Sequence, residues 1–337
     1  QGVLPYPGLE GAMGTAEAAP PRVTDLRGDV KICKKVDGKL ECRTAENGLE
    51  LKEGESIQTR DGAAELSFDD GSKAWIRENT LFTPTKMEGN ILTQGHLLKG
   101  QIRAMFNRLT CRREMGGCNI QTPEAVAAVR GTEFDIRIDD ANNTHLAPHD
   151  GIVELKAVAK NIDRKKLKRW WNGRLSEEEP EELPYGIFAV VLSVEGKVGH
   201  KQADGGWEHV ETGTEVSADD RLETGTDSHV ELALKEGYVA LVGPRSRFEA
   251  RTDEYEKAIY GLWRGKMYVT RRGDTTLKPD MPPVFIGPAA HCKVDADEFE
   301  FSVAESNLAD YMVYQGAIEV TAEKERIEWD KVDRWWH

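Results

Sequence analysis

Residues Gln121 to Ile136 read QTPEAVAAVRGTEFDI, and a degraded copy, IGPAAHCKVDADEFEF, stands 165 residues later at Ile286 to Phe301. The copy sets Pro288 under Pro123, Val294 under Val129, Glu298 under Glu133 and Phe299 under Phe134. The same offset reaches outward: Gly151 to Leu155 falls on Gly316 to Val320, Gly100 on Gly265, and Trp170-Trp171 on Trp335-Trp336. Solenoid repeats run about 20 to 50 residues, so a period this long implies two whole domains.

The TP pair, the Ala/Val-rich run and VRGTEFD are preceded by Ile57-Gln58-Thr59 and by Leu66 to Ser72, LSFDDGS. Together these motifs resemble the FecR-like domain family. The second half keeps the framework but has Asp295-Ala296-Asp297 where the first has Arg130-Gly131-Thr132, and Leu234 to Tyr238 in place of the FDDGS stretch. It is similar to a divergent second copy. The resemblance implies an all-β fold and, in the family's best-known members, a periplasmic domain behind a membrane span and a cytoplasmic sigma-factor-binding segment. There it relays the state of an outer-membrane receptor. This chain shows neither of those segments, which moves the expectation from a sigma regulator of that design toward an envelope scaffold.

Strand signals agree on class. Short runs rich in Val, Ile, Thr and Phe alternate with Asp-Gly, Asn-Gly and Gly-Gly turns about every ten residues; Ala64 to Phe68, Lys73 to Ile76, Val230 to Leu234 and Val239 to Val242 are examples. Periodicity leaves a sandwich or jelly-roll and a solenoid-like stack both open. Short helices are predicted only at the domain ends, over Asp163 to Trp171 and Glu325 to Trp336. The organisation is then residues 1–20 as tag and mature N-terminus, with a cloning remnant at Gly11 to Gly14; residues 21–171 as the first domain; 172–186 as an acidic, proline-interrupted linker; and 187–337 as the second domain.

A chain of 337 residues with 39% apolar and 31% charged residues has an ordinary globular composition for two domains. Its longest apolar run, Ile187 to Leu192, is far shorter than the roughly 18 to 20 residues of a transmembrane helix. Charge is uneven. Residues 21 to 175 carry 27 Lys and Arg against 23 Asp and Glu, whereas residues 176 to 337 carry 18 against 34. The acidic second half disfavours nucleic acid and anionic lipid.

The cysteines locate the compartment. Asp37-Gly38 is a two-residue hairpin signal, and counting outward from it places Cys33 opposite Cys42 at a non-hydrogen-bonded pair, within disulfide reach. Cys111 and Cys118 flank Gly116-Gly117, which a second short hairpin would close. Two disulfides point to an oxidising compartment, periplasm or cell surface. A four-Cys zinc site fits worse, because both spacings exceed the usual knuckle. Cys292 is left over as a buried thiol.

Several stretches suggest chemistry. Asp69 to Ser72 has a calcium-loop look without distal ligands and reads as a hairpin turn. Gly261 to Lys266 falls short of a phosphate loop and reads as a strand turn. Arg130-Gly131-Thr132 is the strongest binding candidate: a guanidinium fork pins carbonyls or a carboxylate, either as a clasp between the TP segment and the next strand or as an anion pocket of the first domain. Trp170 and Trp171 follow the basic run Arg164 to Arg169 and read as a binding patch or a domain-closing anchor. His145, His149 and Asp150 read as surface groups rather than metal ligands. No catalytic constellation, cofactor fingerprint or metal site emerges. The expectation is therefore a non-catalytic, extracytoplasmic scaffold that binds an envelope or outer-membrane protein, with a wall-glycan binder or a signal relay as alternatives. A glycan binder would need a row of exposed aromatics, for which Trp75, Trp207 and Trp263 are available.

Overall fold

The computed structural model describes residues 20–88, 91–111, 117–158, 183–202, 205–253, 255, 257–272 and 282–332. It is nearly all β, and its strands join one hydrogen-bonded network. Alternation makes the strands: Ser56–Thr59, Ala63–Ser67 and Lys73–Ile76 each bury every second residue, the period-2 pattern of a half-buried strand. The turn between the last two is held by the Asp70 carboxylate, which accepts from Ser72 N and Ser72 Oγ, both at 2.9 Å, and from Thr110 Oγ1 at 2.6 Å. Asp69 to Ser72 is thus a hairpin turn, as its glycine suggests.

Within the first half, neighbours run Arg22–Arg27, Ala63–Ser67, Lys73–Ile76, Gln101–Met105, then the long strand Ala125–Ile138. From the other end of that strand they continue through Cys118–Gln121, Ile91–Lys99, Leu81–Glu88, Ser56–Thr59, Val30–Val36 and Lys39–Thr44. The second half repeats the order: Ile187–Glu195, His229–Leu234, Tyr238–Val242, Ala258–Arg271, Ala290–Val303. It then returns through Val284–Ile286, Ala258–Arg271 again, Arg247–Thr252, Arg221–Thr224, Val198–Lys201 and Trp207–His209. In both halves the one parallel pairing falls at the same step. The long hairpins Ala125–Ile138/Thr144–Ala157 and Ala290–Val303/Ala309–Ala322 start and stop 165 residues apart at every end.

A shared polar knot accompanies that order. Thr59 Oγ1 donates to Arg77 O at 2.6 Å and accepts from Thr80 N at 2.9 Å; Thr224 Oγ1 donates to Gly243 O at 2.6 Å and accepts from Ser246 N at 2.9 Å. The Thr80 and Ser246 hydroxyls then accept from Gln101 N and Lys266 N, each at 3.0 Å. Gly100 and Gly265 sit at φ +90° and +92° with those hydroxyl-bearing residues where a Cβ would be. Gly265 therefore lies inside the continuous strand Ala258–Arg271, at a kink, rather than in the turn its sequence suggests.

The halves meet along their long hairpins. Gly151 faces Ala322, and the partners continue to Lys156 with Ala317, one number rising as the other falls. Val153 and Leu155 lie against Val320 and Ile318, all buried, so one apolar core crosses the seam. Glu154 faces Glu319, its own counterpart at the 165-residue offset. Such self-matching pairs are the mark of a twofold arrangement.

The Asp37-Gly38 hairpin has the expected register, Val36 with Lys39 through Cys33 with Cys42. Asp37 and Gly38 both have positive φ, as a type I′ turn requires. The Cys33–Cys42 disulfide spans Cα atoms 4.1 Å apart. Cys111–Cys118 is also formed, with Cα atoms 5.3 Å apart; the expected hairpin between them falls largely outside the described residues. Cys111 ends the turn whose amides bond to Asn107 O, and Cys118 opens a strand that pairs with Ile91–Lys99 and Ala125–Ile138. Cys292 is buried and free, and burial pushes its thiol up. The expected helix over Asp163 to Trp171, with Trp170 and Trp171, lies outside the described residues, as does most of the 172–186 linker. Within Glu325 to Trp336 the described part forms not one helix but the 3-10 turns Lys324–Arg326 and Trp329–Lys331.

Candidate functional site: a buried charge seam

Alternation along Ala125–Ile138 turns Glu133 and Asp135 to one face, where Arg103 from Gln101–Met105 and His149 from Thr144–Ala157 meet them. Arg103 and His149 are wholly buried. Arg103 grips Asp135 with a two-pronged bond, Nε to Oδ1 and Nη2 to Oδ2, both 2.7 Å. His149 Nε2 lies 3.3 Å from Asp135 Oδ2 and 3.3 Å from Arg103 Nη2. A buried charge is tolerable only when paired. Burial opposes ionisation of Asp135, yet the bonds from Arg103 and His149 hold its carboxyl below the usual range.

The second half completes this cluster. Lys324 Nζ reaches Glu133 Oε2 at 2.7 Å, and Trp329 sets its ring edge-on to His149, centroids 5.3 Å apart. Trp329 Nε1 in turn donates to Lys324 O at 3.1 Å, and Ile327 between them is buried. Burial works against the Glu133 anion, but His149 and Lys324 beside it hold its carboxyl at about 2.

A second clasp lies further along the same hairpin. His145 Nδ1 is 3.0 Å from Asp310 Oδ2, across the seam, and its Nε2 is 3.1 Å from Asp139 Oδ2. Arg137 Nη2 joins the same Asp310 oxygen at 2.7 Å. Burial alone would lower the His145 pKa; the hydrogen bond to Asp310 and its charge raise it above the ordinary value. Burial likewise opposes the Asp310 anion, and His145 and Arg137 hold it below the usual range.

His145 and His149 are therefore not surface groups, as their loop-like sequence context suggested. Besides nearby Asp139, Asp135 and Arg103, they meet Asp310 and Trp329, from a strand and a tail more than 150 residues away. Arg130 is also reassigned: its Nη1 lies 3.7 Å from Glu319 Oε2 of the second half, whereas the TP segment closes on itself through Thr122 Oγ1, which bonds Ala125 and Thr144. The carboxylate that the arginine pins is the protein's own. Gly131, at φ +63°, lies against Arg108, whose Cα would sit 2.4 Å from an added Cβ, and Thr132 is buried beside it. Trp75 is half-buried and donates to Glu65 Oε2 at 2.7 Å, and Trp263 is half-buried under Arg251; neither is the open face that a glycan binder presents.

At the 165-residue offset, Arg103, Glu133, Asp135 and His149 become Tyr268, Glu298, Glu300 and Tyr314. The carboxylates stay buried. Tyr268 donates to Glu298 Oε1 at 2.6 Å and Tyr314 to Glu300 Oε2 at 3.4 Å. This joint exchange was the signal in the sequence that marked the cluster, and composition and spacing alone passed over it.

Residues 55–154 match the family described as FecR protein, which supports a FecR-like domain in the first half. Neither the comparison with curated proteins nor the comparison with solved structures returns a match. The two disulfides and the FecR match point together to an extracytoplasmic location. No helix of the described residues is long and apolar enough to cross a membrane.

Proposed function

We propose that the chain is a non-catalytic, extracytoplasmic interaction protein whose second half is a divergent copy of the FecR-like first half, the two clasped into one unit that binds an envelope protein. The FecR match over residues 55–154 carries this reading. The repeated strand order and the paired Thr59 and Thr224 knots support the second copy. The seam supports a binding role over catalysis, because Arg103, His145 and His149 are committed to carboxylates of the protein itself rather than directed into an open cleft.

Periplasm or cell surface is the proposed location, and the partner a protein of the outer membrane or surface. A relay in the manner of the FecR family is the second reading, favoured by the same match. Cross-linking the purified protein to an envelope extract of its source, followed by mass spectrometry, tests both. Dominant capture of one outer-membrane or surface protein is the expected result; recovery of an outer-membrane receptor would favour the relay. Recovery only with insoluble wall material would overturn both in favour of glycan binding.

A further inference from the structure

The hairpin Val30–Val36/Lys39–Thr44 differs from everything else in the first half. Every residue of its outer strand is exposed, Leu40 at 64%, so burial contributes little to holding it. What holds it is covalent and ionic: the Cys33–Cys42 disulfide, and Arg43, which forks onto Glu55 at 2.6 and 3.1 Å. Among the described residues Lys39–Thr44 pairs with Val30–Val36 alone, with no bulge in the register. Its far side is a straight, open edge.

The register says which groups that edge offers. Beyond a two-residue loop, facing pairs alternate between hydrogen-bonded and non-hydrogen-bonded. Val36/Lys39, Lys34/Glu41 and Ile32/Arg43 are the bonded pairs, so the amides and carbonyls of Leu40, Cys42 and Thr44 point outward. Proteins blunt an exposed edge by bulges, prolines, charged side chains or a covering element; this one carries charge but no bulge or proline, and it is stapled by the disulfide. Lys31, Lys34, Lys35 and Lys39 form no ion pair among the described residues, against Asp37 and Glu41 on the same hairpin. The edge is thus a basic spot on a protein of formal charge −14. The counterpart in the second half, Val198–Lys201/Trp207–His209, has a three-residue outer strand, no cysteine, and Glu208 and Glu211 along or beside it.

We propose that Lys39–Thr44 is a docking edge for an extended acidic segment of a partner protein, which adds a strand through the Leu40, Cys42 and Thr44 backbone and lays its carboxylates against Lys34 and Lys39, which share one face of the hairpin. Main-chain bonds give such strand addition its affinity, and side chains give it selectivity. The proposal rests on the protein-binding reading above and names the surface and chemistry of the contact.

The test uses the full chain and a soluble peptide alternating Glu with Thr, with a Lys/Thr peptide as control, followed by amide exchange. Protection of the Leu40, Cys42 and Thr44 amides by the acidic peptide alone, weakening at least tenfold between 50 and 300 mM salt, is expected. Leu40→Pro removes one outward donor and none of the ladder inside the hairpin, and abolishes the protection; Lys34→Glu with Lys39→Glu weakens it as salt does. Millimolar acidic peptide without protection of these amides, or equal protection by the Lys/Thr peptide, overturns the proposal. Envelope cross-linking with wild type and Leu40→Pro separates the two readings. A partner captured equally by both sinks the docking edge and leaves protein binding standing, whereas no partner for either sinks protein binding itself.

Discussion

Arg103, Glu133, Asp135 and His149 in the first half, and Tyr268, Glu298, Glu300 and Tyr314 in the second, occupy matching places and solve one problem in two ways. Both clusters bury two carboxylates beneath the same strand. The first neutralises them with full charges and the second bonds them through phenol hydroxyls. Among the described residues, the other half reaches the first cluster through Lys324 and Trp329. The contrast teaches that one pair of acidic positions can be held by a guanidinium and an imidazole in one half and by phenol hydroxyls in the other.

The sharpest way to break that contrast is to truncate one partner from each cluster. Arg103→Met removes the two-pronged bond and leaves the buried Asp135 anion with His149 alone, and breaking such a buried pair costs about 3–5 kcal/mol. Tyr268→Phe removes a hydroxyl bond to a carboxylate and costs about 1–3 kcal/mol. Chemical denaturation of both variants gives the comparison; equal losses would mean that the two clusters work alike.

Next in size come the paired glycines. Gly100→Ala and Gly265→Ala both place a methyl within 2.6 Å of a backbone Cα at positive φ, for an expected loss of about 2–4 kcal/mol each. Thermal unfolding of the two variants should shift together, and a tolerated change at one of them would show that the knots are alike in outline only.

The staple distinguishes the hairpins. Replacing Cys33 and Cys42 together by Ser is expected to cost about 2–3 kcal/mol from the denatured-state entropy of a loop this short. Free thiols at these positions in non-reducing mass spectrometry of the purified protein would remove the distinction between the halves' outer hairpins.

The smallest effects are those of pH. His145, whose folded pKa is raised, stabilises the seam fully below its unfolded value near 6.5, and that contribution is lost as pH rises through the folded value. Glu133 has the opposite sign: held at about 2 against a model-peptide value of 4.5, it stabilises above 4.5 and loses that as pH falls toward 2. Stability against pH should flatten on the alkaline side in His145→Gln and on the acid side in Glu133→Gln. Unchanged limbs in both would remove the two histidine-linked clasps as charge-dependent joints.

Much of this fold was legible because its signals are local. Asp37-Gly38 set the register of the first hairpin down to the cysteine pair, and the offset from Gln121 to Ile286 is the one at which the two long hairpins repeat. The seam was not legible in the same way. Lys324 meets Glu133, and Asp310 meets His145, at separations of 191 and 165 residues, and no spacing rule reaches that far. Arg130 was singled out for its guanidinium fork; the carboxylate beside it is Glu319, in a strand that the sequence ties to it only through the 165-residue offset. The Cys111–Cys118 pairing was legible from the short separation of the two cysteines alone.

Glu154 opposite Glu319 has a consequence for how such a protein can change over time. Two separate identical chains meeting about a twofold axis must set each residue against itself, and any substitution appears on both sides at once. With both halves on one chain, each side of the axis mutates alone. Here Arg130 and Lys293 approach Glu319 from its surroundings, while the positions matching them around Glu154 are Asp295 and Ala128. The joint is therefore lopsided, and its two sides are free to carry different charge.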